Sequence, residues 1–453
     1  MKSIPPPALR RPEAAPLGLH VLALVLSLSV VVFTNIAYSE KHDIALYIVC
    51  FVGLTLSALT WVLSGKNEAT PEGTLAVAAG LFAYFPGLYY VGTGDYHPLL
   101  LKGISISVGV QVATTWLMLS KVAKARPTPT PSRQQLQRTR TVGVILLISG
   151  GLVVQQFGLS SLSLPANAAF VGASFIMYGA IFAGSRLRVR SFAVSAIAIG
   201  LYMALLFNTG GRLVIAALVF GAVFMASMRV RSRLLKVSVL GALVPALFLA
   251  ARQRSEVIQD TRGVNETGLE SVVWPIDRLA ELLQLAAGGH LSPTGGDTLF
   301  ATLVFWVPRD LWAGKPLGFG AQLVPVLRPN LVGIGHSEAA TIVGEWVWDF
   351  GVIGLVLLPL AGVLVLRGLQ KLRGRVARDS KFGSQALAPI CLAIIGAGML
   401  DLFWIGTFGF ASRAGQRLII LSVIFFVYYL VPNRGSSSSV AHATDEPSVS
   451  NKT

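Results

Sequence analysis

Apolar runs close to twenty residues long recur along this chain, each closed by a short polar or cationic stretch. That length is what a helix needs to cross a bilayer. The pattern predicts twelve spans, at 17–37, 44–63, 74–92, 98–119, 141–159, 167–184, 191–207, 211–228, 234–251, 343–366, 384–405 and 417–431. The first run, from Leu17 to Ala37, is too long for a signal-peptide core and lacks a small-residue cleavage pattern, so it reads as a span. One connection breaks the rhythm. Residues 252–342 form a polar-to-mixed stretch far longer than the other connections, and loops of that length inside a compact protein are often functional. The organisation is then nine spans in 1–251, a large loop in 252–342, three spans in 343–431 and a Ser-rich tail in 432–453 that is predicted to be disordered. The fold class is an all-α polytopic membrane protein of about twelve transmembrane helices.

The large loop carries helical signals of its own. In "LESVVWPIDRLAELLQLAAGG", Val272, Ile276, Leu279 and Leu283 recur at helical spacing and a Gly pair ends the run. After "SPTGG", Asp297 is positioned to cap a helix over "TLFATLVFW". Both pieces are too short to span and suit interfacial or re-entrant helices.

Charge sets the expected orientation. Loop 120–140 holds six cations and no acid, and "SRLRVR", "RVRSRLLK" and "RGLQKLRGRVARDSK" add more on the same side as both termini. The positive-inside rule makes that side cytoplasmic and puts the large loop outside. The net charge of +16 is therefore explained by loops that meet anionic lipid, and not by nucleic acid. The composition, 53% hydrophobic and 13% charged, agrees with a membrane protein. The two cysteines, Cys50 and Cys391, both lie in apolar runs and build neither a disulfide framework nor a metal cluster.

Few residues could carry chemistry. Arg212 follows a Gly-Gly in "FNTGGRLVIAAL" at the start of a span. It fits either a snorkelling anchor or an anion site, where glycines let the backbone approach and the guanidinium supplies a fork. In "FWVPRDLWAGKP", Pro308 and Pro316 restrict the chain beside Arg309 and Lys315, as cations aimed at one place require, although both also fit a plain surface loop. In "GHSEAATIVGEWVWDFGVIG", Glu338, Glu345 and Asp349 fall roughly on one helical face leading into a span, with His336 just before them. Ionisable groups there are either solvated by headgroups or functional. "GTFGFASRAGQR" reads as the last outer loop, with Arg413 in it, Arg417 as an anchor, and Asp401 placed to pair with one of them.

The turn "TGGR", the stretch "VPRDLWAGKP" and the segment "TIVGEWVWDFGVIG", in this order and flanking a large outer loop, resemble the O-antigen polymerase family, the Wzy-type oligosaccharide repeat-unit polymerases, of which the O-antigen ligases are relatives. Arg252/Gly263, Arg278/Gly289 and Arg309/Gly320 also fit an arginine–glycine spacing found in some members. His336-Ser337 stands thirteen residues ahead of Gly351-Val-Ile-Gly354, unlike the ligase pattern. The resemblance implies a GT-C-like membrane fold and a metal-independent glycosyltransferase without cofactor, in a bacterial inner membrane. It implies undecaprenyl-diphosphate-linked glycans as substrates, the bilayer as partner, and a chain-length regulator and a flippase as associates. Diphosphate contacts then fall to Arg212, Arg309, Lys315 and Arg413. The general base is Glu345, with His336 as second candidate. The alternatives are a ligase and a non-enzymatic flippase or transporter of lipid-linked glycans, although no internal repeat of the transporter kind is visible.

Overall fold

In a computed structural model, the described residues are 42–65, 67–94, 96–119, 133–159, 163–183, 189–206, 212–242, 269–307, 311–333, 337–376 and 387–430. They are helical, with no strand among them. The chain is a multi-pass membrane protein: ten of its described helices are long and apolar enough to cross a bilayer.

In chain order the helices are α1 (His42–Leu63), α2 (Pro71–Ala79, a π-turn at Gly80–Tyr84, then Phe85–Thr93), α3 (Leu100–Leu119), α4 (Arg133–Phe157), α5 (Leu164–Phe182), α6 (Val189–Leu206), α7 (Arg212–Val230) and α8 (233–242). The large loop supplies α9 (Glu270–Ala287), α10 (Asp297–Leu303) and α11 (Phe319–Leu327). Then follow α12 (Thr341–Phe350), α13 (Gly354–Val376), α14 (Leu387–Ile405) and α15, which runs from Thr407–Phe410 through a π-turn at Ala411–Gly415 to Gln416–Leu430. Ten of the twelve expected spans are present as long apolar helices. The expected first span and the tail lie outside the described residues, and the ninth is described only as far as 242.

Burial follows composition. α14 is apolar all round and packs on α2, α7, α12 and α15, whereas α4, α6 and α13 turn rows of Leu, Ile and Val outward, as lipid-facing helices do. α4 and α5 approach through glycine. A Cβ on Gly150 would lie 2.4 Å from the Pro165 carbonyl, and one on Gly172 2.5 Å from the Leu147 nitrogen. Backbones this close give the small-residue packing that substitutes for the hydrophobic effect inside lipid. Gly150→Val is expected to push the two helices apart at a cost of about 1–3 kcal/mol, lowering the melting temperature of the purified protein. Gly109→Val, where a Cβ meets nothing within 4 Å, is the matched control and is expected to change little.

The helical face in 272–283 forms as the spacing predicts, and its Gly pair closes α9 with Gly289 at φ +71°. Val273, Ile276, Leu279 and Leu282 are buried against α2, α3 and α12, so α9 crosses the ends of the bundle as part of its core. His97, just before α3, is tied to it by Asp277 and Gln284. Below, "loop end" means the end of the bundle where α9 to α12 sit.

Candidate functional site

The three acids around α12 share a region but not a pocket. Each holds a different piece of the loop end. Glu338 accepts from Arg278 Nε at 3.3 Å, and its own N–H donates to the Gly320 carbonyl at 3.0 Å. That approach needs a glycine, because a Cβ on Gly320 would meet the Glu338 carbonyl at 2.4 Å. Arg278 also pairs with Glu281, which takes a two-pronged contact from Arg328 at 3.0 and 3.1 Å. Burial pushes the Glu281 carboxyl up, and Arg278 opposes the rise.

Asp349 is buried and accepts four hydrogen bonds. They come from the Thr294 hydroxyl at 2.6 Å, the Thr298 hydroxyl at 2.7 Å, and the Thr298 and Leu299 amides at 3.3 and 3.2 Å. The two amides belong to the first turn of α10. The cap expected from Asp297 is therefore supplied by Asp349, on another helix. Asp297 sits one position too late, inside the first turn, and Gly296, at φ +102°, precedes it.

Glu345 has no exposed surface. Its Oε2 accepts the Thr407 amide at 2.6 Å and its Oε1 the Thr407 hydroxyl at 2.9 Å. It thus caps α15 from outside, above Gly406, where a Cβ would lie 2.5 Å from the carboxylate. Thr407 Oγ1 is also 3.0 Å from Thr302 Oγ1 on α10. A chain of hydroxyls, Thr302 to Thr407, leads to Glu345.

That chain ends in a cavity of about 430 Å³, which Thr302 and Thr407 line at the loop end and Ser64, Glu72 and Gln370 at the other. Along α13 the lining runs from Leu358 to Gln370, about 18 Å of helix. Its surface is mostly apolar, lined by Leu, Ile, Val, Ala, Met and Phe side chains, and Val365, which lines it, is 57% exposed. At its loop end Trp346 Nε1 is buried and meets no acceptor among the described residues.

Of the other expected site residues, Lys315 is buried, and its ammonium donates to the carbonyls of Phe305 (2.7 Å) and Val307 (2.8 Å), pinning the segment just before Pro308 and Arg309. Arg309 and His336 lie outside the described residues, and Arg212 opens α7, as expected from the sequence, with its side chain outside them. Arg413 is ion-paired with Asp401 and lies over the Trp404 ring. Asp401 lies near the end of α14 and pairs with Arg413 as expected, but Arg413 is not in a loop. The last span begins at Thr407, not at 417, so Arg413 and Arg417 are inside it. Their charges break the apolar run that sequence reading relies on. Arg417 is accommodated because its Nε donates to Asn167 at 2.9 Å and its guanidinium stacks 3.6 Å from the Phe170 ring.

The hydroxyls of Thr294, Thr298, Thr302 and Thr407 are not legible as site groups in the sequence. The one signal for them is the four-residue spacing of Thr294, Thr298 and Thr302, which puts three hydroxyls on one helical face. No family model matches the chain, and no curated protein or solved structure does either.

Proposed function

We propose that this chain polymerises undecaprenyl-diphosphate-linked oligosaccharide repeat units at the periplasmic face of a bacterial inner membrane, with the loop end periplasmic and both termini cytoplasmic. The product class is O-antigen, capsule or exopolysaccharide. The observation that carries the reading is the long, mostly apolar cavity between the helices, ending at the Thr302–Thr407–Glu345 chain. A polyprenyl tail needs such a slot, and a reacting hydroxyl needs such an end. The motif resemblance supplies the reaction.

In that reaction the acceptor oxygen bonds to the anomeric carbon of the donor. The bond from that carbon to the diphosphate oxygen breaks, and its electron pair leaves on the diphosphate. Arg212, Arg309 and Arg413 stabilise the charge that develops there, and Lys315 holds the backbone that presents Arg309. The acceptor proton moves to Thr302, the Thr302 proton to Thr407, and the Thr407 proton to Glu345 Oε1. His336 is the second candidate for the base.

Purified protein in liposomes, given lipid-linked repeat units and EDTA but no nucleotide sugar, is expected to yield longer glycans on gels. Arg309→Lys is expected to lower that rate about ten- to a hundredfold, because a point charge cannot replace a bidentate fork. A carrier function is a second reading, favoured by the reach of the cavity to Glu72 and Gln370 at the far end. Labelled lipid that changes leaflet with no glycan lengthened would establish the carrier and end the polymerase reading.

A further inference from the structure

The segment after α10 carries a face of large apolar side chains that none of the described residues covers. Leu303, Trp306 and Leu311 are 72%, 66% and 81% exposed, and Phe300, Trp312 and Leu317 extend the same face. A soluble loop that exposes two Trp and four other large apolar residues within eighteen positions is a docking surface. Its depth identifies what it docks on.

The helix α10 starts beside the junction of α12 and α13, where Asp349 caps it and the Pro293 ring lies against Gly351. From there the chain runs down along the last span. Thr302 meets Thr407, and three residues later the Phe305 ring lies against Gly415, where a Cβ would be 3.0 Å from it. Eight helical residues separate Thr407 from Gly415, about 12 Å of descent. The last span begins at Thr407, so Thr302 is level with the hydrocarbon edge and Phe305, against Gly415, lies below it.

α13 gives the same level independently. Arg367 and Lys371 mark its far edge, and counting back the roughly 20 residues of a bilayer crossing places the near edge at the Gly351 kink. Val352 and Ile353 there are exposed, and below them Val356, Leu360 and Leu364 continue the lipid-facing belt. The apolar face after α10 is therefore level with the bilayer surface and continuous with a face already in lipid.

We propose that the face made by Phe300, Leu303, Trp306, Leu311, Trp312 and Leu317 is a foot embedded in the bilayer leaflet at the loop end, its partner being the boundary between headgroups and acyl chains. Two Trp at that level match the aromatic belt of membrane proteins. The foot is rigid across its two arms. Lys315 grips the carbonyls of Phe305 and Val307, and Phe300 meets Trp312 edge to face at 6.2 Å. The helix that bears Phe300 and Leu303 outward bears Thr302 into the cavity, so the foot keeps the loop end of the cavity at membrane level. None of this depends on the reaction proposed above.

The test is nitroxide labelling of Leu303→Cys, Trp306→Cys and Leu311→Cys in a full-length chain with Cys50→Ala and Cys391→Ala, one chain per lipid nanodisc. The ratio of collisions with oxygen to collisions with a neutral nickel chelate is expected to match that of a label at Leu364 on α13 and to exceed several-fold that of a label at Asn330, which is exposed and outside every candidate span. A ratio equal to that at Asn330 would put the face in water and overturn the proposal. Shielding from both reagents, with spin–spin broadening once two chains share a disc, would make the face a contact between copies and overturn it equally. Should Trp306→Cys fail to fold, the labels at 303 and 311 distinguish the same three outcomes.

Discussion

Asp349→Ala is expected to release the start of α10 while leaving the spans in place. The carboxylate is the common acceptor for four donors from Thr294, Thr298 and Leu299. Ala leaves these buried or half-buried donors without an acceptor. Each orphaned donor costs about 1–3 kcal/mol, and the lost cap adds to this, but relaxation of a seven-residue helix limits the total to on the order of 3–5 kcal/mol. Hydrogen exchange at the Thr298 and Leu299 amides should read it directly, as exchange faster by about two to three powers of ten. Asp349→Asn keeps one acceptor but turns an amide N–H₂ toward donors, so a smaller loss in the same direction is expected. Unchanged exchange in Asp349→Ala would mean that the cap contributes nothing and that Asp349 is kept for another reason.

The sequence is informative about anything that follows from a local period. Nine of the span-length runs, the α9 face and the glycine stop of α9 are all local, and these appear where the residues place them. Failures cluster where a distant partner decides. Asp297 obeys every local rule for a cap, yet Asp349, 52 positions on, does the capping. Glu338, Glu345 and Asp349 share one helical face by spacing, which reads as a single acidic site. In the fold they are three separate anchors, to Arg278, Thr407 and α10. Hydropathy starts the last span ten residues late because Arg413 and Arg417 interrupt it, and their partners Asp401, Trp404, Asn167 and Phe170 come from other helices. The glycines of "FGVIG" carry a different lesson. Gly351, at φ +61°, forms the kink between α12 and α13, and a Cβ on Gly354 would lie 2.1 Å from the Trp346 carbonyl. A motif that looks like a functional signature also has a purely geometric reason to exist.

That double meaning makes Glu345 the position where structure and chemistry are hardest to separate, and Glu345→Gln is the substitution that separates them. Removing the side chain altogether would strip the cap from α15 and confound the two. Gln need not. Its oxygen can take the Thr407 amide, as Oε2 does now, while its N–H₂ donates to the Thr407 hydroxyl, which then turns its proton toward Thr302, 3.0 Å away. Both hydrogen bonds to Thr407 are kept, but the direction of the hydroxyl chain reverses and no base stands at its end. The protein is therefore expected to melt within a few degrees of the wild type and to bind lipid-linked repeat units as before. The turnover number should fall by about 10²- to 10⁴-fold, the usual worth of a general base, with KM nearly unchanged. Thr407→Val should lose turnover as well, since it cuts the chain one link earlier, and Thr407→Ser should restore most of it. If Glu345→Gln lengthens glycans at the normal rate, Glu345 is a helix cap alone and His336 becomes the base to test. If it is slow but Thr407→Val is not, the proton reaches Glu345 without the threonines, and the cavity end must present the acceptor to the carboxylate by another route.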